Sequence, residues 1–147
     1  MSAVLDETQR ALLKSVLNCL VPARDSLPGA GDLDVDASIE RGMAESARLR
    51  RLLLEGLTAI AIASEHFTAL DVTSQIHVLE AIEHSHPAFF GALVEHAYRG
   101  YYTLPSVHRA IGHESRPPQP LGHSLAPFDP ALLDRQRQRL PFWRQTS

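Results

Sequence analysis

The chain has 147 residues, 44% hydrophobic and 21% charged, which is one domain's length with enough apolar content to bury a core. A formal net charge of −3 argues against a nucleic-acid binder, and a single cysteine excludes an internal disulfide or a multi-cysteine metal site. No apolar stretch approaches the roughly 20 residues that cross a bilayer, so the chain is not expected to span a membrane. The start, with Asp6-Glu7 where positive charge belongs and no apolar run after it, is expected to lack an export leader of its own. As it stands the sequence is expected in the cytoplasm, with the periplasm as the alternative if a leader was removed or lies on a partner.

Leu12, Leu13, Val16, Leu17 and Leu20 recur at helical spacing, predicting an amphipathic helix between Asp6 and Val21. Asp6 and Gln9 form its capping pair and Pro22 its stop. Residues 22–32 then collect two prolines and two glycines, an ordered loop. Asp34 or Asp36 caps a short helix carrying Val35, Ile39 and Met43. The next helix, through Leu49, Leu52, Leu53, Leu57 and Ile60, also has Leu54 and Ile62 on its far side, which predicts a position between other elements. Asp71 caps a helix with Val72, Ile76, Leu79 and Ile82 on one arc. Pro87 opens a fifth, burying Phe89, Phe90, Leu93, Val94, Ala97 and Tyr101.

Beyond Tyr102, prolines at 105, 117, 118, 120, 127 and 130 leave room for short turns only, and a last short helix starts at Asp129-Pro130 and runs to about Arg139. Sustained period-two alternation is absent, so the predicted fold is all-α: a bundle of about five helices over residues 1–112, with a mostly irregular extension over 113–147. Residues 1–98 carry fourteen acids against seven bases, and residues 99–147 carry three acids against seven arginines. The extension, with Phe142 and Trp143, has too little periodic apolar character for its own core and is expected to lie along the body or a partner.

His77, Glu80 and His84 share one helix flank, the spacing of a weak metal site or of a solvated polar face. A di-iron bundle needs two Glu-x-x-His pairs, and only Glu83 with His86 has that spacing. Cys19 sits at the edge of an apolar arc, as a small buried hydrophobe does. No catalytic constellation is visible, and no residue set for a flavin or haem. The run Gly100-Tyr101-Tyr102-Thr103-Leu104-Pro105 reads either as a helix end packed on the bundle or as a docking corner. A His/Glu metal-binding bundle and a homo-oligomeric scaffold are the alternatives to a partner-binding role.

The stretch Leu17-Asn-Cys-Leu-Val-Pro-Ala-Arg-Asp-Ser-Leu-Pro-Gly-Ala-Gly31 resembles the opening of the gluconate 2-dehydrogenase subunit 3 family. Arg99-Gly-Tyr-Tyr-Thr-Leu-Pro-Ser-Val-His-Arg-Ala-Ile-Gly112, with the proline-rich run to His123, is similar to that family's far end. The resemblance implies a non-catalytic accessory subunit bound to a large FAD-dependent dehydrogenase of the glucose–methanol–choline type, with the flavin on the partner and a cytochrome c as onward acceptor. Such subunits commonly bring a twin-arginine leader, from which this sequence departs. Under this resemblance the partner interface is expected at Pro28, Gly29, Tyr101, Tyr102, Leu104, Pro105, His108, Phe142 and Trp143.

Overall fold

The Asp6 carboxylate accepts from the Gln9 N–H at 2.8 Å, and the Gln9 side chain accepts from the Asp6 N–H at 3.1 Å. This reciprocal pair opens helix α1 (Glu7–Leu20), which turns Leu12, Leu13, Val16 and Leu17 inward. Helices α2 (Val35–Glu45), α3 (Ala47–Ala63), α4 (Val72–Ser85) and α5 (Pro87–Tyr102) follow, and then the short α6 (Pro105–Ala110). Each break has a local cause. The Ser46 hydroxyl accepts from the Leu49 N–H at 3.2 Å to start α3, Asp71 accepts from the Ser74 N–H at 3.1 Å to start α4, and Pro87 occupies the first turn of α5.

The computed structural model describes residues 4–113, 122, 124 and 127–139, and among them there are helices and turns but no strand. The all-α expectation therefore holds. The chain divides into two compact units, Met1–Ser115 and Arg116–Ser147. In the second, the Asp129 side chain accepts from the Ala131 N–H at 3.0 Å, opening a 3₁₀ turn (Pro130–Leu133) that runs into helix α7 (Asp134–Arg137), as the Asp-Pro signal predicts. Phe142, Trp143, Pro117, Pro118, Pro120 and His123 lie outside the described residues.

In the first unit, α5 packs against α1, α2, α3, α4 and α6, burying Phe89, Leu93, Ala97 and Tyr101. A side chain at Gly56 of α3 would fall on the Phe89 ring, so these two helices meet at close range. Three sequence expectations are corrected. Asp34 stands at the cap position of α2 without a side-chain cap bond, while Asp36 lies inside the helix, buried beside Arg10. Helix α3 does touch the other four long helices, but Ile62 on its far side is 82% exposed. On α4 the buried arc is Gln75, Leu79 and Ile82, leaving Val72 and Ile76 exposed. Gln75 can be buried because its amide donates to the Ser15 hydroxyl and the Phe67 carbonyl, while its oxygen accepts from the Cys19 thiol.

One ion-pair cluster ties the chain's start to the bundle. The Arg10 guanidinium donates to Glu40 at 2.6 Å and to Asp36 at 3.2 Å, and Lys14 lies 3.8 Å from Asp36. The other Glu40 oxygen accepts from the backbone N–H groups of Val4 and Leu5 at 2.7 and 3.1 Å, which seats the buried Leu5 side chain. Burial pushes the Glu40 carboxyl up, but the Leu5, Arg10 and Val4 donors outweigh it and hold the group below the usual carboxylate range. A folded-state pKa below the unfolded value stabilises above about pH 4.3 and is lost as pH falls through the folded value. Glu40→Gln is therefore expected to cost about 2 kcal/mol at neutral pH and to flatten the acid limb of a stability profile measured by urea unfolding. Identical acid limbs in the two proteins would show that Glu40 makes no such contribution.

Candidate partner interface

Asn18, on the inner side of α1, organises the loop that precedes α2. Its side-chain oxygen accepts from the Gly31 N–H at 2.7 Å and its amide donates to the Asp32 carboxylate at 3.1 Å. The small residues of Pro28-Gly-Ala-Gly31 are explained by this close approach. A Cβ on Gly29 would fall on the Asn18 oxygen, one on Gly31 would fall on the Lys14 carbonyl oxygen, and Ala30 is fully buried. Upstream, Arg24 and Leu27 exchange backbone hydrogen bonds at 2.9 and 2.8 Å around Asp25, whose φ of +51° is a left-handed conformation that aspartate tolerates.

The far end of the chain closes onto this loop. The Tyr101 hydroxyl donates to the Pro28 carbonyl at 2.9 Å across 73 residues of sequence. Burial, and then the neighbouring Tyr102, push the Tyr101 phenol above its ordinary pKa. At Gly100 an added Cβ would lie 3.0 Å from Val35, so the last turn of α5 sits tight on the first turn of α2. The two stretches that carry the family resemblance thus form one corner.

Its outer surface is aromatic. The Tyr98 and Tyr102 rings stack with centroids 6.0 Å apart and planes 17° apart, at 45% and 47% exposure. Tyr101 meets Tyr102 edge-on at 5.3 Å. Leu104 is half-buried against the core, Pro105 is exposed at the start of α6, and His108 is half-buried with its Nε2–H donating to the Tyr102 carbonyl.

Of the expected interface residues, Pro28, Tyr102 and Pro105 face outward. Tyr101 and Gly29 are corrected: both are buried, because the aromatic ring completes the core on the arc of Leu93 and Ala97 while the glycine packs on Asn18. Tyr98 was missed, although its position one helical turn before Tyr102 is a legible signal for a stacked pair.

The flank of α4 is a surface network. His77 Nδ1 lies 3.2 Å from the Glu80 carboxylate, and His84 Nδ1 donates to the Glu80 backbone carbonyl at 2.7 Å, all three residues being exposed. Among the described residues no three His, Cys, Asp or Glu side chains are placed to hold a metal ion. Cys19 is half-buried, its thiol pushed up in pKa by burial, as the apolar-edge expectation has it. Among the described residues no helix is long and apolar enough to cross a membrane.

No curated relative and no solved structure matches the chain. The sequence profile described as Gluconate 2-dehydrogenase subunit 3 matches residues 7–114, which contain helices α1 to α6 and both halves of the Tyr101–Pro28 corner. On that match over most of its length, the chain belongs to the gluconate 2-dehydrogenase subunit 3 family.

Proposed function

We propose that this chain is a non-catalytic accessory subunit that docks onto, and stabilises during maturation, a large FAD-dependent dehydrogenase of the glucose–methanol–choline type. The observation that carries this is the joining of the two family stretches by the Tyr101–Pro28 hydrogen bond beneath an exposed tyrosine stack. Tyrosines with apolar bodies and polar tips are the residues that anchor protein interfaces, and here they stand on a rigid helix end rather than a loose loop. In this assignment the flavin and the oxidised alcohol or sugar acid belong to the partner, and a cytochrome c takes the electrons onward from it. The Arg-rich C-terminal extension adds contact area on the partner.

Co-expression with a flavoprotein dehydrogenase encoded beside this chain tests the assignment. The two chains are expected to co-purify at fixed stoichiometry, with all flavin absorbance on the large chain, and the large chain is expected to lose soluble yield when expressed alone. A flavoprotein that is equally soluble, flavin-loaded and active alone, and does not co-elute, would overturn it.

A further inference from the structure

Between α2 and the end of α5 lies a cleft of about 490 Å³, within the size range of ligand sites. Its walls are Ser38, Arg41, Gly42 and Glu45 on α2 and His96, Arg99 and Gly100 on α5, with Ser46 and Leu49 at the start of α3 closing one side. Positions on facing helices normally carry apolar side chains that close the gap. Here, apart from Leu49 and the two glycines, they are polar. The helices meet closely at one end, where a Cβ on Gly100 would lie 3.0 Å from the Val35 side chain, and the cleft is lined by residues of α2 from Ser38 to Glu45.

The chemistry lining the cleft is that of an anion site. Two guanidinium groups, Arg41 and Arg99, and one carboxylate, Glu45, line it, and among the described residues neither arginine makes an ion pair. The Ser46 hydroxyl already accepts from the Leu49 N–H, so its own proton is available to donate, and Ser38 adds a second hydroxyl. His96 lies over Gly42, where an added Cβ would meet the ring at 3.7 Å.

We propose that this cleft receives the carboxylate of an acidic side chain presented by a partner polypeptide, held in a fork between Arg41 and Arg99. Three observations favour a polypeptide over a free anion. The arginines are exposed and the cleft is open on one side, so a small ion would stay largely solvated, whereas a docked chain brings the missing wall. Glu45 supplies an acceptor beside the two forks, which suits the backbone N–H next to an acidic side chain. Arg99, which lines the cleft, stands three residues before the exposed Tyr102 on α5, a spacing that puts the two side chains on neighbouring positions of one helix face. The chain's own extension is a poor occupant, since residues 99–147 carry seven arginines against three acids. The inference rests on the subunit assignment only for where the acidic residue comes from.

The test uses the purified full-length chain, so that its failure is separate from a failure to co-purify with a flavoprotein. An end-blocked tetraglutamate peptide is titrated in and followed by the His96 ring and Arg99 amide resonances, with sodium chloride at matched ionic strength and with citrate as the free-anion probe. Saturable shifts with the peptide are expected, weakened by about tenfold or more in Arg41→Ala/Arg99→Ala, whose exposed positions leave the fold intact by circular dichroism. Shifts that only track ionic strength, or that persist in the double variant, would overturn the site. Saturation by citrate but not by the peptide would overturn the polypeptide occupant, and so would concentration-dependent shifts without any peptide, which mark a second copy in the cleft.

Discussion

Gly31→Ala is expected to destabilise the protein by about 3 kcal/mol, the upper end of what a single added methyl costs in a packed interior. The new Cβ would land on the Lys14 carbonyl oxygen and lie 2.8 Å from the Lys14 carbonyl carbon and 2.9 Å from the Asn18 side-chain carbon. Two of these three atoms are helix backbone, which cannot rotate aside, so the loop must lift from α1 and release the 2.7 Å Gly31–Asn18 hydrogen bond. Gly91→Ala is the internal control. That glycine has open space around it within the exposed face of α5, and alanine there is expected to stabilise by about 0.5–1 kcal/mol through helix propensity. Urea unfolding of both variants measures the contrast, and a neutral Gly31→Ala would show that the loop is not held by this close approach.

Tyr101→Ala and Tyr102→Ala are expected to separate stability from docking, although the residues are neighbours. Tyr101 is 2% exposed and fills the core, so truncation should cost about 4 kcal/mol. Tyr101→Phe keeps the packing and removes only the hydroxyl bound to Pro28, at about 1 kcal/mol. Tyr102, 47% exposed and stacked on Tyr98, should leave thermal stability within about 0.5 kcal/mol when truncated. Its loss should instead weaken the proposed complex with a large dehydrogenase subunit by about tenfold or more, read by titration calorimetry or co-elution. A Tyr102→Ala protein that binds as well as wild type would move the docking surface away from the corner.

Helix existence and most boundaries were legible in the sequence because they depend on short-range chemistry. Asp6 with Gln9, Asp71 before Val72, Pro87, and Asp129-Pro130 each act within one turn, and each marks the helix start that the structure has. The family resemblance was legible for the same reason, since both of its stretches are contiguous in sequence. What the sequence left open depended on neighbours it does not name. Whether Gln75 or Ile76 faces the core turns on Cys19, Ser15 and Phe67, which satisfy the amide from other elements. Asp36 looks like a cap by position and becomes a buried ion-pair partner only because α1 brings Arg10 to it.

The same division runs through the candidate sites. Gly-Tyr-Tyr marked an aromatic corner, but which tyrosine is core and which is surface was decided by the seating of α5 on α2 and of the Pro28 loop on Tyr101. The Arg41–Arg99 cleft could not be read from sequence at all. Its residues lie at ordinary amphipathic spacing on two helices, indistinguishable from solvated faces until the bundle turns those faces toward each other. Local capping and periodicity set the elements of this protein; the crossing of α2 and α5, which places charged groups far apart in sequence around one gap, is a property of the packed bundle alone.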